Sequence, residues 1–527
     1  MINIKYHKWN KKERKDLNNS CQNILNIKEI QFYQPFFSLY FHIHNTKSSH
    51  KLIDLKRRYF IKEIISTISK KYHTSNIFVK CKVYDLFKNF SYEKELFCKC
   101  IPLLNPTDYI MNNYNNFIHR NNLLPSCYNH NTYNKINNID NTAYIDSFFS
   151  FICSEITIND INPSFPIYYG AINGIKANFN YDITDDYSLF EEEFWFHKNI
   201  RKFKIDLDMY VSSDSEDDSE DDSGDDSDND SIINNISDTD SDNDNDNDNG
   251  SIINNISDSD SSNSSNSSNS SNSSNSSNSS SGTNDYIIEL KDIPCQLFFI
   301  EKLEGTLEDL LTDIEDLDTN IILSCIFQIS FALSYLQKHY SFTHNDLHIN
   351  NVMYSKTDKI YIYYKFNNIY YKVNTYGYIF KIIDFGRSIF TFHNKTFFND
   401  TFEKHGEAEG QYTSPHNYLN FKNDEKIIIK PNYNFDLCRL AITILDVFDF
   451  NKDKDYKEKQ PFFNFIYNLT LNNQGESFFD LNDDFTLYKI ISEEATNSLP
   501  RTIIQNYIFN QYRIKKKYFP KKLYYHL

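Results

Sequence analysis

A tract of Asp, Glu, Ser and Asn runs through the middle of this chain, over residues 212–285. It holds 20 acidic residues and no Lys or Arg, contains the sequence SIINNISD twice and ends in Ser-Ser-Asn repeats. So little apolar surface cannot offset the entropy of ordering the backbone, which costs about 1–2 kcal/mol per residue. We therefore expect a disordered insertion, and the globular fold must be built from the segments on either side of it.

The tract also explains the acidity of the whole chain. The 527 residues carry 72 Asp and Glu against 54 Lys and Arg, a formal charge of −18. Once the 20 acids of the tract are set aside, 52 acids face 54 bases. This balance gives no reason to expect nucleic acid or a membrane as a partner of the globular part.

The sequence contains no export or membrane signal. The N-terminus lacks an apolar core, and no window approaches the roughly 18 apolar residues of a membrane span. Nine cysteines without a CxxC pair predict reduced thiols, rather than a zinc or redox site. Reduced thiols fit a cytosolic setting.

Apolar patterns before the tract predict several strands and one helix. Residues 76–87 and 95–104 are short runs rich in β-branched and aromatic residues, which is typical of strands. Residues 142–156 place apolar side chains at helical spacing, with Thr142 as a possible N-cap. Residues 165–172 predict a further strand.

After the tract the pattern becomes mainly helical. Residues 320–340 form the clearest helix, because apolar residues recur three or four positions apart along one face. Residues 359–383 predict three strands, broken at 367–368 and 374–377, and helices predominate beyond about residue 430. The layout is an α+β fold with a small strand-rich lobe followed by a larger helical lobe.

Two polar motifs lie near the junction of these lobes. Residues 343–351 read THNDLHINN and residues 381–388 read KIIDFGRS. Asp384 offers a carboxylate and Asn351 an amide oxygen, and such hard oxygens are the ligands that Mg²⁺ prefers. Asp346 could accept a hydrogen bond from a hydroxyl nucleophile. We expect the motifs together to hold a metal–nucleotide complex and a hydroxyl acceptor.

The first motif resembles the catalytic loop of eukaryotic-type protein kinases, and IIDFG resembles their metal-binding turn. The His-Asn-Asp-Leu-His pattern of the first motif is most similar to that of haspin-like kinases and of serine/threonine kinases of giant DNA viruses. Other segments resemble the family in the same order, from about residue 76 to 450. These segments are LFCK, NPSFPIYYG, FFIEKLEGTLEDLL, EGQYTSPH and FDLCRLAITIL.

The resemblance implies a bilobal protein-kinase-like fold. Residues 1–60 would be an N-terminal extension, and 61–302 an N-lobe that includes the insertion at 212–285. Residues 303–527 would form the C-lobe, with a basic tail that carries seven Lys or Arg in its last 27 residues.

The resemblance also assigns roles to residues. Lys99 would hold the α- and β-phosphates of ATP, and Asp384 and Asn351 would bind Mg²⁺. Asp346 would orient the acceptor hydroxyl, and His348 stands where the family has a lysine that contacts phosphate.

Further family positions concern the hinge and the support of the loop. Glu301 and Leu303 would offer backbone groups to adenine. Asp436 would brace the catalytic loop from the start of a helix, and His344 would pack and form hydrogen bonds within that loop.

The chain departs from the family pattern at several positions. Its first glycine is Gly170, so the Gly-rich loop expected before Lys99 is missing. The acid that pairs with Lys99 is either Asp146 or Glu155, and Asp146 is preferred although neither has the expected spacing.

Two further departures concern activation. Asn345 replaces the arginine that precedes the catalytic aspartate in many regulated kinases, so activation by a phosphate on that arginine is not expected. His416 stands where a glutamate usually closes the activation segment, which leaves the usual ion pair of that glutamate in question.

The resemblance predicts an ATP- and Mg²⁺-dependent serine/threonine protein kinase with a protein substrate. A pseudokinase or scaffold, a choline- or aminoglycoside-type kinase, and a non-enzymatic interaction protein that uses the acidic tract remain alternatives, and tyrosine is not excluded as acceptor. Ser213, Ser215 and Ser219 each have an acid three positions on, which suits modification by an acidophilic kinase. The expected location is cytoplasmic, or the host cytoplasm or virion if the protein is viral.

Overall fold

The computed structural model describes most of the chain outside the acidic tract. The described residues are 2–43, 50–70, 75–111, 113–114, 122–127, 132–184, 187–190, 193–194, 196, 204–208, 285–312, 319–403, 406, 408–412, 431–448, 461–481, 484–522 and 524–527. The predictions made for residues 212–284, including those for Ser213, Ser215 and Ser219, lie outside this range, as does His416.

The described residues form a mixed α+β fold. The strands are β1 (Tyr6–Lys8), β2 (Ile27–Gln31), β3 (Ile53–Leu55), β4 (Tyr59–Lys70), β5 (Ile77–Asp85), β6 (Phe90–Pro102), β7 (Tyr168–Asp182), β8 (Lys204–Asp208), β9 (Asp285–Glu301), β10 (Gly305–Thr306), β11 (Val352–Lys356), β12 (Tyr361–Phe366), β13 (Ile369–Asn374), β14 (Tyr378–Ile382), β15 (Ile389–Phe392), β16 (Lys395–Phe398), β17 (Arg513–Ile514) and β18 (Tyr525–His526). The helices are α1 (Lys11–Leu25), α2 (Phe37–Tyr40), α3 (Pro106–Ile110), α4 (Asn134–Asn137), α5 (Thr142–Ile158), α6 (Tyr187–Phe190), α7 (Leu307–Thr312), α8 (Thr319–Tyr340), α9 (Phe435–Val447), α10 (Pro461–Asn468), α11 (Asp484–Glu494) and α12 (Pro500–Ile503).

A seven-stranded sheet dominates the first part of the fold. Its strand order is β2-β7-β9-β6-β5-β4, and β8 also pairs with β9. The strands predicted at 76–87, 95–104 and 165–172 are confirmed as β5, β6 and β7. The sheet also takes β2 from within the first 60 residues, where it pairs with β7.

Each face of this sheet packs on its own hydrophobic core. Helix α1 covers one face, where Leu17 and Cys21 of the helix join Cys98 and Cys100 of β6 in a single buried cluster. Helix α5 covers the other face, in a core that continues into the helical part of the chain. Because side chains alternate along a strand, Lys99 projects toward the α5 face.

Helix α5 was predicted at 142–156 and spans Thr142–Ile158. Its N-cap is Asn141, whose side chain accepts a hydrogen bond from Ala143 N, so the prediction of Thr142 as the cap was wrong. The Thr142 hydroxyl instead donates to Asn399 Oδ1 at 3.0 Å. This contact ties the start of α5 to the segment after β16.

The second part of the chain is built around α8. The predicted helix at 320–340 is confirmed, and the three strands predicted within 359–383 are confirmed as β12, β13 and β14. Among the described helices, α8 is the one long and apolar enough to cross a membrane, but 78% of that apolar stretch is buried inside the protein. It is therefore the central helix of the core.

Short sheets flank α8 and end in the basic tail. Strands β10, β11 and β14 form one sheet, and β17, β13, β12 and β18 form another. Strands β17 and β18 come from the basic tail, so this segment is folded against the rest of the chain.

A buried arginine joins the N-terminal residues to the large sheet. Arg57 Nη1 lies 2.9 Å from Asp54 Oδ2, and both side chains are almost fully buried. Arg57 Nε donates to Tyr169 O on β7 at 2.9 Å. The next residue, Gly170, has φ +139°, and a Cβ placed on it would lie 2.3 Å from Arg57 Nη2.

We expect Gly170→Ala to lower the free energy of unfolding by about 1–3 kcal/mol, through backbone strain and displacement of the Arg57 guanidinium. Gly377→Ala is the matched control, because φ is +85° there but a Cβ would meet no atom within 4 Å. Urea unfolding of both variants tests this expectation. Equal losses at the two positions would show that the contact with Arg57 carries no cost of its own.

Candidate functional site

The centre of the candidate site is the ammonium group of Lys99. It lies 2.6 Å from Asp146 Oδ2 and 2.7 Å from Asp384 Oδ1. The Lys99 side chain is 19% exposed and that of Asp146 is fully buried, so each charge needs the other. One cation therefore joins strand β6, helix α5 and the turn after β14.

The pKa of Lys99 is raised by this arrangement. Burial acts to lower it, but the charges of Asp146 and Asp384 and their hydrogen bonds outweigh the burial. Lys99 is therefore charged at neutral pH.

Of the two acids left open by the sequence, Asp146 is the partner of Lys99. Its other oxygen, Oδ1, accepts a hydrogen bond from Phe385 N at 3.0 Å. Glu155 lies near the other end of α5, where burial raises the pKa of its carboxyl and the charge of Arg57 opposes that rise. Asp146 thus fixes both the lysine and the backbone of the turn.

The turn gives Asp384 an uncommon backbone conformation. Its φ is +61°, in the left-handed region, and its Oδ1 accepts a hydrogen bond from Gly386 N at 3.4 Å. Burial acts to raise the pKa of Asp384, but the charge of Lys99 and its hydrogen bond lower it to about 2. The carboxylate is 39% exposed and ionised at neutral pH, as a metal ligand must be.

Hydrogen bonds tie this turn to the polar loop. His344 Nε2 donates to Ile383 O at 2.8 Å, and Ile383 N donates to Asn351 O at 3.1 Å. Asn345 Nδ2 donates to Arg387 O at 3.0 Å. Asn345, which replaces an arginine of the family pattern, is thus a buried structural residue, and His344 has the structural role expected of it.

Asp346 lies at the outer edge of the loop. Its side chain is 23% exposed, and its Oδ1 accepts a hydrogen bond from Tyr488 OH at 2.6 Å. Arg387 Nη1 is 3.8 Å from the same oxygen. Among the described residues, none donates a hydrogen bond to Asp346 Oδ2, so that oxygen is left to accept one from a ligand.

Asn351 and His348 support each other beneath Asp346. Asn351 Nδ2 donates to Asp346 O at 2.8 Å and lies 3.0 Å from His348 Nε2. Asn350 N lies 3.3 Å from His348 Nδ1, and because a neutral ring has a single accepting nitrogen, His348 accepts a hydrogen bond from Asn350 N or from Asn351 Nδ2 but not from both at once. Burial lowers the pKa of His348, and the nearby charges of Asp346 and Asp384 only partly oppose this shift. The ring is therefore neutral at pH 7 and props Asn351, rather than supplying a positive charge.

Asp436, at the start of α9, braces the loop from below. Its Oδ1 accepts from His344 N at 3.1 Å and from Asn345 N at 3.0 Å, and the carboxylate is fully buried. Burial raises the pKa of Asp436 to about 6, although the backbone donors and the charge of His344 pull it down.

The hinge position is fixed by a second buried ion pair. Glu301 Oε2 lies 2.8 Å from Lys381 Nζ and accepts a hydrogen bond from Ile167 N at 3.0 Å. Glu301 N donates to Ile167 O at 2.8 Å, so a ligand would have to use the carbonyl of Glu301 rather than its N–H. Leu303 follows and is 7% exposed.

The oxygen donors fit a magnesium ion held together with phosphates. Mg²⁺ commonly takes one or two protein oxygens and completes its shell with water and phosphate. Asn351 Nδ2 donates to Asp346 O, which leaves Oδ1 as the atom of this amide that could serve as a ligand. Among the described residues there is no cluster of three or more His, Cys, Asp or Glu side chains that would hold a metal by itself.

The structure thus brings Lys99, Asp346, Asn351 and Asp384 into one connected group. Sequence reasoning missed Tyr488 and Arg387, which contact Asp346 of this group, and Lys381, which pairs with Glu301. Arg387 directly follows Asp384-Phe385-Gly386, here called the DFG turn, and this position in the sequence was a usable signal that Arg387 lies near the site. Tyr488 and Lys381 lie in ordinary helix and strand patterns, which gave none.

Comparison with known proteins adds little to this geometry. No family model matches the chain. Uncharacterized protein 098R of Invertebrate iridescent virus 6 is 40% identical over 88 residues, which cover 16% of this chain and 14% of that protein. The match spans too little of either protein to show a family, and it is consistent with a viral origin.

We expect the stability advantage of the wild type over Asp436→Asn to shrink as the pH rises from about 4 to about 6. The folded protein binds the Asp436 proton more tightly than the unfolded chain, because the folded pKa is about 6 against an ordinary value of 3.8. Stability from this proton is complete below the unfolded pKa and is lost as the pH passes the folded one, by up to about 3 kcal/mol. Urea unfolding of both proteins from pH 4 to 7 measures the gap, and a gap independent of pH would contradict the expectation.

Proposed function

We propose that this protein is an ATP- and Mg²⁺-dependent phosphotransferase with a bilobal protein-kinase-like fold, acting on serine or threonine hydroxyls of a protein. The observation that carries the proposal is the placement of Lys99 between Asp146 and Asp384. Protein kinases use a strand-borne lysine, an acid on the following helix and an aspartate of the DFG turn in this combination. The three residues that match the kinase pattern in sequence order are also in contact with one another in this protein through the Lys99 ammonium.

The loop supports the same reading. In protein kinases an aspartate accepts the proton of the acceptor hydroxyl, and an asparagine five residues on is a metal ligand. Asp346 Oδ2 receives no hydrogen bond from the described residues, and Asn351 is tied to Asp346 O and to the DFG turn. When bound, Mg²⁺ would neutralise phosphate charge. The chain itself would hold the phosphates with Lys99 and orient the acceptor hydroxyl with Asp346.

A second candidate function is nucleotide binding without efficient transfer. No glycine precedes Gly170, so backbone amides upstream of Lys99 approach phosphates less easily. A pseudokinase or scaffold would keep the ion pairs of Lys99 and lack the transfer. For a viral protein, an origin with which the partial viral relative is consistent, either function would be exerted in the host cytoplasm or the virion.

We expect Mg²⁺ with ATP to raise the melting temperature of the wild type, and neither to do so alone. At a concentration of 100 times Kd the ligand should add about 2.7 kcal/mol to the free energy of unfolding. Asp384→Ala should lose most of this shift, because it removes a metal ligand. Asp292→Ala, at an exposed carboxylate paired with Lys28, is the matched control and should keep the shift. A full shift in Asp384→Ala would rule out the assigned metal role.

We expect Asp346→Asn to lower the rate of phosphate transfer by about 10²–10⁴-fold with little change in nucleotide binding, because the amide cannot accept the hydroxyl proton. Labelled ATP with mixed proteins, and in parallel with aminoalcohols and aminoglycosides, measures transfer and separates protein from small-molecule acceptors. Asp358→Asn, at an exposed position, is the control. Transfer that persists in Asp346→Asn would exclude the proposed role, and binding without transfer by the wild type would favour the pseudokinase.

A further inference from the structure

A buried tyrosine from a distant helix contacts Asp346, the aspartate proposed to orient the acceptor hydroxyl. Tyr488 lies in α11, 142 residues beyond Asp346, and its hydroxyl is 2.6 Å from Asp346 Oδ1. The Tyr488 residue is 8% exposed. Burial raises the pKa of its phenol to about 12, so the neutral hydroxyl is the donor in this hydrogen bond.

The ring of Tyr488 is fixed on several sides. The guanidinium of Arg439 lies 5.0 Å from the ring centroid and that of Arg387 lies 5.9 Å from it, within the range of cation–π attraction. The ring also packs against Phe435, with centroids 5.6 Å apart. A ring held between two cations and an aromatic side chain is a rigid support and is not placed to move aside as a lid.

Tyr488 contacts only one of the two carboxylate oxygens of Asp346. Tyr488 occupies Asp346 Oδ1, and among the described residues Oδ2 has no hydrogen-bond donor, so the two oxygens of the carboxylate are not equivalent. The backbone of Asp346 is fixed independently, because Asn351 Nδ2 donates to Asp346 O. Rotations about the two side-chain bonds of Asp346, χ1 and χ2, are then the remaining freedom, and the hydrogen bond from the phenol restricts both.

We propose that Tyr488 is a positioning residue which holds Asp346 Oδ1 and thereby presents Oδ2 to the acceptor hydroxyl. The inference rests on the proposed phosphotransferase function and adds to it a residue from α11. Arg387, which follows the DFG turn, and Arg439, on the helix that begins beside Asp436, place the same ring. The orientation of the carboxylate is thereby linked to the turn and to α9.

The test is Tyr488→Phe in the full chain, which removes only the hydroxyl. We expect kcat to fall by about 10–100-fold, the size of loss that a misplaced reacting group produces. The KM for ATP with Mg²⁺ should stay within about twofold, and the melting temperature within about 4 °C, because one buried hydrogen bond is lost. Tyr507→Phe is the matched control, because that tyrosine is 68% exposed, and it should leave kcat unchanged.

A double variant separates positioning from general packing. If Tyr488 acts through Asp346, Tyr488→Phe should cause no further loss of transfer in the Asp346→Asn background. An additional loss there, or a fall in melting temperature above about 10 °C in the single variant, would show a structural role and overturn the inference.

The remaining outcomes distinguish the inference from the function on which it rests. A wild type that transfers phosphate while Tyr488→Phe keeps the full kcat overturns the inference alone. Phosphate found on Tyr488 by mass spectrometry would make it a self-acceptor and overturn it as well. A wild type that transfers phosphate to no acceptor overturns the proposed function and the inference together.

Discussion

The structure depends on one buried cation. The ammonium of Lys99 would be costly to bury alone, and it is retained because Asp146 and Asp384 both lie within 2.7 Å of it. Its partners come from elements that are distant in sequence, so the sheet, helix α5 and the DFG turn have to close around the same point. Removing Lys99 would leave the fully buried Asp146 carboxylate without its cation, whereas removing either aspartate would leave Lys99 paired with the other one.

Aromatic packing holds the helix of this cluster in place. Phe148 of α5 lies 4.2 Å from Phe36, measured between ring centroids, and 5.4 Å from Phe392 of β15. Tyr40 OH donates to Phe392 O at 3.3 Å, so the N-terminal residues contact both α5 and the hairpin after the DFG turn. The position of Asp146 is therefore fixed by apolar contacts.

Local patterns predicted the elements better than they predicted the contacts between them. Alternation along β6 places Lys99 on the face opposite Cys98, which a period of two residues requires. It could not decide between Asp146 and Glu155, because α5 is apolar on nearly all sides and its periodicity does not show which face meets the lysine. The contact of Tyr488 with Asp346 could not be predicted for another reason. Tyr488 is one of 39 tyrosines, and its partner is 142 residues away in the sequence.

The charges of the site favour a particular form of ligand. Asp146 and Asp384 outnumber the single cation between them, and Asp346 adds a further carboxylate, for which Arg387, at 3.8 Å, is the one cationic partner among the described residues. A bare polyphosphate would meet net negative charge on entering such a site, whereas a phosphate that carries a divalent cation would not. For the proposed phosphotransferase, this charge balance favours entry of the metal–nucleotide complex as a unit. The preference comes from the excess of carboxylates over cations and does not require a glycine-rich loop.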